Sequence, residues 1–202
     1  MGLRYLALGD SYTIGEGVAP AERWPDRLAG LLRGHGLALD PPHIVATTGW
    51  TVAELQAGID ADAPRGPFDL VSVLAGVNDQ YRGRPAAAYA ADFAALVERA
   101  VAFAGGRPAR VLVLTIPDWG VTPFAAAQGR APATIAAELD AYNALAAAQA
   151  AQAGTRLVDI APVARQRGAE GAMLAGDGLH PSGAMHALWA ALALPHARAA
   201  LG

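Results

Sequence analysis

Apolar residues gather in five short runs, at residues 5–8, 43–46, 70–74, 111–116 and 157–160. Each has the length of a β-strand and little alternation of apolar and polar positions, the pattern of strands covered on both faces. Between the runs the apolar spacing changes to three and four: Trp24, Leu28 and Leu31 before Gly34; Tyr89, Phe93, Leu96 and Ala100 before Gly105; Ile135, Leu139, Tyr142 and Leu145 before Gly154. Such spacing puts each set on one stripe of a helix, with the glycine as its stop. A last helix is expected from about Ser182, carrying Leu188, Trp189 and Leu192, until Pro195 bends or ends it. The alanine-rich stretch 125–153 keeps helical period in its large residues and reads as helix, not disorder.

Strand and helix patterns alternate along the whole chain, so the expected class is α/β. The economical arrangement is a three-layer α/β/α sandwich around a five-stranded parallel sheet with right-handed crossovers, in strand order 2-1-3-4-5. At 202 residues the chain suits one domain, residues 1–202, with a sizeable core. In open parallel sheets ligands bind beyond the carboxyl ends of the strands, so the residues just after each run matter most.

Composition narrows the chemistry. All fifteen cationic side chains are Arg and none is Lys, which excludes a Schiff-base lysine and a P-loop lysine. There is no Cys, so cysteine nucleophiles, disulfides and thiolate metal sites are excluded together. The net charge is −3 and Arg is scattered, which argues against a nucleic-acid surface. Although 53% of residues are hydrophobic, no apolar run approaches the roughly 18 residues of a membrane span. Residues 1–8 are too short for a secretory leader. The expectation is a cytoplasmic monomer without stable membrane insertion.

Four places follow the strands with usable groups. After the first run, Gly9-Asp10-Ser11-Tyr12 puts a serine in a glycine-containing bend, where its hydroxyl can stand above the sheet and its own N–H can meet an oxyanion. The chain has three serines; Ser72 lies inside a strand run and Ser182 follows Pro181 as a helix cap, leaving Ser11 as the candidate nucleophile. After the second run, Thr47-Thr48-Gly49 offers a backbone N–H unobstructed by a side chain, or simply a turn glycine. After the third, Gly76-Val77-Asn78-Asp79 supplies an amide that either donates to developing negative charge or closes an Asx-turn. Near the end, Asp177-Gly178-Leu179-His180-Pro181 places an Asp three residues before a His, close enough to hold the imidazole tautomer. His35, His43, His186 and His196 default to solvated or packed roles, and no metal-ligand spacing such as H-E-x-x-H occurs.

In their order these four blocks resemble those of the SGNH hydrolase superfamily, the GDSL-type esterases and lipases, over nearly the whole chain. The resemblance implies a flavodoxin-like fold and ester hydrolysis without metal or organic cofactor. It implies Ser11 as nucleophile, His180 as general base and acid, Asp177 as its orienting carboxylate, and an oxyanion hole of the Ser11 N–H, the Gly49 N–H and the Asn78 side chain. Asp10 and Asp79 would hold the Ser11 and Asn78 loops. Two departures stand out: Tyr12 replaces the Leu of GDSL, and no Asn precedes Gly49. The G-x-S-x-G elbow of α/β-hydrolases is absent, since Thr13 takes its last place, and Pro20 and Pro181 break the G-x-G-x-x-G pattern of dinucleotide sites.

The expected partner is a small-molecule ester. Tyr12 and Tyr81, with Trp119 and Phe124 from the aromatic stretch after the fourth run, are the candidate pocket walls, core packing being the competing role for each. Short or medium acyl esters fit the lack of an extended apolar surface segment. Thioester, lysophospholipid and carbohydrate-acetate hydrolysis use the same apparatus, while a flavodoxin-like binding module would need none of it.

Overall fold

A computed structural model describes residues 2–202. Five strands, β1 (Tyr5–Gly9), β2 (His43–Ala46), β3 (Leu70–Leu74), β4 (Val111–Leu114) and β5 (Arg156–Val158), pair in parallel throughout, in the order β2-β1-β3-β4-β5. Leu6 stands opposite His43 on one side and Val71 on the other, Val71 opposite Val111, and Leu112 opposite Arg156. Every residue of β1, β3 and β4 is buried, whereas the edge strands β2 and β5 are buried only toward their carboxyl ends. Continuous apolar runs in the centre and mixed ones at the rims are the consequence of helices covering both faces.

The helices among the described residues are α1 (Ser11–Ile14), α2 (Trp24–Gly34), α3 (Val52–Asp62), α4 (Val77–Tyr81), α5 (Ala86–Phe103), α6 (Pro123–Ala127), α7 (Pro132–Ala153), α8 (Ala161–Arg167) and α9 (Gly183–Leu201). The long helices fall into two packed groups: α2 lies against α9, and α5 contacts both α3 and α7. No described helix is long and apolar enough to cross a membrane.

Three details depart from the sequence pattern. On α2 the buried stripe is Trp24, Leu28 and Leu32, while Leu31 is exposed, and on α9 Leu192 is exposed while Trp189, Ala190, Ala193 and Ala197 are buried. The inner face of α9 is made largely of small residues around Trp189, that of α2 of Trp24 and two leucines, and one leucine of each helix is left outside. Pro195 does not end α9, which continues to Leu201. Pro195 and Ala191, the residue four positions earlier whose carbonyl loses its partner, are both exposed, so water can satisfy that carbonyl.

The last strands are also shorter than their apolar runs. β4 stops at Leu114: Thr115 N–H still donates to the Val158 carbonyl of β5 at 3.1 Å, and only at Ile116 does the backbone N–H turn to a side chain in place of the ladder. The Thr115 hydroxyl accepts from the N–H groups of Ile160 (2.9 Å) and Ala161 (3.0 Å) and donates to Asp159 (2.8 Å), and Ile116 N–H donates to Asn143 (2.7 Å). Thr115 thus caps the start of α8 across the sheet. Replacing it by Val keeps the shape and strands two buried N–H groups. Thr115→Val is therefore expected to lower stability by about 2–4 kcal/mol in urea denaturation; a change near zero would mean those groups find other acceptors.

Candidate active site

The loops after β1, β2 and β3 and the chain before α9 meet at the carboxyl edge of the sheet. Ser11 opens the single turn α1, and Asp10 caps it by accepting from Tyr12 N–H at 3.0 Å. As the first helical residue, Ser11 keeps an N–H with no intrahelical acceptor. Gly9 is needed for close approach, because a Cβ there would lie 2.2 Å from the Thr13 hydroxyl and 2.6 Å from the Leu74 carbonyl. The strand can therefore turn into α1 tight against β3.

After β2, Trp50 N–H donates to the Thr47 carbonyl at 3.3 Å, closing a turn in which Gly49 has φ +87°. A Cβ at Gly49 would meet no atom within 4 Å, so the backbone conformation selects glycine here and crowding does not. Two consecutive carbonyls of this turn are tethered: Gly49 accepts from the Arg82 guanidinium at 2.6 Å, and Trp50 accepts from Asn78 Nδ2 at 2.9 Å. The Gly49 N–H has no acceptor among the described residues. Because the Trp50 carbonyl needs a donor, Asn78 must present its NH₂ group to this turn, and its second hydrogen remains free.

Asp79 acts farther than its neighbour Asn78. Its side chain is fully buried; one carboxylate oxygen accepts from Val52 N–H at 2.9 Å, at the start of α3, and the other from Arg84 at 2.6 Å. It thereby binds the loop after β3 to the loop after β2.

In the last loop, Asp177 accepts from the N–H groups of Leu179 and His180, both at 2.9 Å, and its second oxygen meets His180 Nδ1 at 2.5 Å. Burial raises the Asp177 carboxyl, but these bonds, the His180 ring foremost, outweigh it and leave it below its ordinary value. The carboxylate form is thus secured, Nδ1 carries its proton toward Asp177, and Nε2 is free for other work. Phe124 N–H donates to the Gly178 carbonyl at 3.2 Å, tying this loop to the one after β4.

These loops enclose one pocket of about 180 Å³. Ser11, Thr48, Gly49, Asn78 and His180 bring polar groups to it, and Tyr12, Val77, Tyr81, Trp119, Phe124 and Leu179 form its apolar walls. All the site residues expected from sequence line it except Asp177, which stands behind His180. Thr48, Val77 and Leu179 were not foreseen as lining; each adjoins a motif residue, and that adjacency was their only signal. Among the described residues, neither the Ser11 hydroxyl nor His180 Nε2 is hydrogen-bonded to the other or to another group. The pocket edge is aromatic: Tyr12 packs edge-on to His180 with centroids 6.1 Å apart, and Trp119 lies 5.4 Å from Tyr81 and 6.2 Å from Phe124.

The remaining polar residues have other duties. Ser72 hydrogen-bonds the Tyr5 hydroxyl at 2.8 Å, and Ser182 caps α9 by accepting from Ala184 N–H at 3.2 Å. His186 is buried and accepts from Trp24 N–H at 3.2 Å; burial pushes its ring down to about 3, so it stays neutral. His43 pairs with Asp62 at 2.7 Å.

A sequence profile described as the GDSL-like Lipase/Acylhydrolase family matches residues 7–188, which spans every loop of this pocket. The chain belongs to that family. A comparison with curated proteins finds no match. Among solved structures this family member is similar to TesA, with 24% identity and a TM-score of 0.76 over 96% of this chain and 97% of that one. It is similar to Axe2, an acetylxylan esterase from Geobacillus stearothermophilus, with 22% identity and a TM-score of 0.74 over 97% and 94%. AlinE4, an SGNH-hydrolase family esterase, shares 23% identity with a TM-score of 0.62 over 78% and 76%. The parallel sheet in order 2-1-3-4-5 is thus the α/β fold of SGNH hydrolases.

This GDSL-like chain buries a carboxyl group next to Ser11. Burial pushes the Asp10 carboxyl up to about 7; the Tyr12 N–H opposes the shift and the nearby Asp79 adds to it. One Asp10 oxygen has no hydrogen-bond partner. The fold therefore favours neutral Asp10: its contribution to stability is full below about 4, the unfolded value, and is lost as pH rises through about 7. Asp10→Asn keeps the acceptor for Tyr12 and removes the titration. Its melting temperature should gain on the wild type steadily from pH 4 to pH 8, and parallel curves would remove Asp10 as the source.

Proposed function

We propose that this protein hydrolyses carboxylic esters through an acyl-enzyme on Ser11. The observation that carries the reading is the collection, in one small pocket, of a serine hydroxyl, two free backbone N–H groups, a free amide hydrogen and an imidazole whose far nitrogen is fixed by Asp177 at 2.5 Å. Substrate brings the hydroxyl and His180 Nε2 within reach, as apo sites of this kind commonly tighten on binding. Ser11 Oγ attacks the ester carbonyl while Nε2 takes its proton. The tetrahedral oxyanion rests against the N–H groups of Ser11 and Gly49 and the Asn78 amide. Collapse of this intermediate releases the alcohol, which receives the proton from His180. Water then repeats the sequence on the acyl-enzyme with His180 again as base, and no cofactor enters the balance.

The pocket favours small acyl groups. At about 180 Å³ it is below the range of about 300–1,000 Å³ usual for drug-sized ligands, and its walls are aromatic and aliphatic. Acetyl to medium-chain esters suit it, and an acetyl group is what the structurally similar Axe2 is described as removing from xylan. Thioesters and sugar acetates present the same carbonyl to the same groups.

A fluorophosphonate probe should label wild-type protein at Ser11 and leave Ser11→Ala unlabelled and inactive on p-nitrophenyl acetate. A binding module would show neither labelling nor turnover. Asn78→Ala should lower kcat by about 10²-fold, the usual loss for one oxyanion donor. Its unfolding free energy should change by only about 1 kcal/mol, for the bond to Trp50. Unaltered kcat in Asn78→Ala would remove the amide from the mechanism.

A further inference from the structure

Trp119 has a second cavity behind it. This space, about 20 Å³, is lined by Ala164, Met173, Leu174, Met185 and Trp189, and it shares Tyr12, Trp119 and Leu179 with the catalytic pocket. Those three side chains are therefore a partition between two apolar spaces. The indole is the largest of them, and it is the one held by a polar relay.

That relay begins at Gln80, which is 2% exposed. Indole N–H is only a donor, so Gln80 must turn its carbonyl oxygen toward it, and the two meet at 2.8 Å. The Gln80 NH₂ group then needs an acceptor and finds the Glu138 carboxylate at 2.5 Å. Arg130 donates to the same Glu138 oxygen at 2.8 Å and lays its guanidinium over the indole, 5.3 Å from the ring centroid. The indole is thus gripped at its edge by Gln80 and on its face by Arg130, with Glu138 joining the two. Glu138 and Arg130 are partly exposed, so the relay runs from the surface to the pocket wall. A hydrogen-bonded network anchored on the buried Gln80 amide resists rearrangement more than apolar packing alone.

We propose that Gln80, supported by Glu138 and Arg130, is a positioning residue that sets acyl-chain selectivity by holding Trp119 as the partition. The proposal rests on the ester-hydrolase reading above and assigns a substrate class within it: esters of acyl groups short enough to end at the indole. Releasing Trp119 joins the two cavities and admits longer chains.

Gln80→Met keeps the length of the side chain and removes the acceptor. Its ratio of kcat/KM for p-nitrophenyl octanoate over acetate should rise by about tenfold, through a lower KM for octanoate, with kcat on acetate within about twofold of wild type. Glu138→Ala, at the surface, should shift the ratio in the same direction without endangering folding. Gln80→Glu sets two carboxylates together and should be impaired, whereas Gln80→Glu with Glu138→Gln restores an acceptor and a donor in reversed order and should return the wild-type ratio. Active Gln80→Met and Glu138→Ala proteins with an unchanged ratio would overturn the proposal alone, as would an equal loss on both esters that the exchange does not rescue. A wild-type protein that cleaves no ester and takes no fluorophosphonate would sink the ester-hydrolase reading, and this proposal with it.

Discussion

One fully buried carboxylate holds the pocket's architecture together. Asp79 joins the N-terminus of α3 to the Arg84 guanidinium, and through them the loop that bears Gly49 to the loop that bears Asn78. A carboxylate taken out of water needs such partners, since without them its burial is strongly unfavourable. Arg84 is itself shared with Asp92 at 2.8 Å, and its carbonyl accepts from the Tyr142 hydroxyl at 2.5 Å, so α4, α5 and α7 meet at the same point. Displacing Asp79 would disturb both the turn that frees the Gly49 N–H and the amide that reaches Trp50.

Asp10 shows what the same chemical group does without a counter-ion. It lies in the same region, equally buried, but is met by a backbone N–H and no arginine, and its carboxyl rises where Asp79 has a full set of partners. Next to the Ser11 hydroxyl this matters. Burial disfavours charge on Asp10 and leaves Asp177, on the far side of the imidazole, as the carboxylate held ionised, where it fixes the tautomer. The serine loop and the histidine loop thus divide their labour, the first held by local caps and the second by a carboxylate kept ionised.

The walls follow a different principle from the polar edge. Tyr12, Tyr81, Trp119 and Phe124 pack edge to face around a small space, and the edge-on contact between Tyr12 and His180 joins that wall to the imidazole itself. Tyr12, where the family motif carries Leu, also packs against Trp189 on α9 with centroids 5.8 Å apart, so it ties the Ser11 loop to the final helix. Of these aromatic side chains Trp119 is anchored outside the pocket, where its indole N–H donates to Gln80.

Sequence by itself determined the sheet and the identity of the chemical groups. Strand-length apolar runs in alternation with helical spacing leave few parallel topologies, and the nucleophile candidate follows from having three serines of which two are occupied elsewhere. These signals are local: a run, a spacing, a motif of three to five residues. Tertiary structure decided what depends on residues distant in the chain. Leu32 and not Leu31 faces inward because α9 supplies the opposing surface, Pro195 is tolerated because its side of α9 faces water, and the Thr115 hydroxyl becomes a cap because folding brings the two first N–H groups of α8 to it. The Gln80–Glu138–Arg130 relay carries no pattern in the sequence at all. A hydrogen bond between residues 39 or 58 positions apart is specified only when folding brings donor and acceptor within 3 Å, and the wall that Trp119 gives the pocket is fixed at that level.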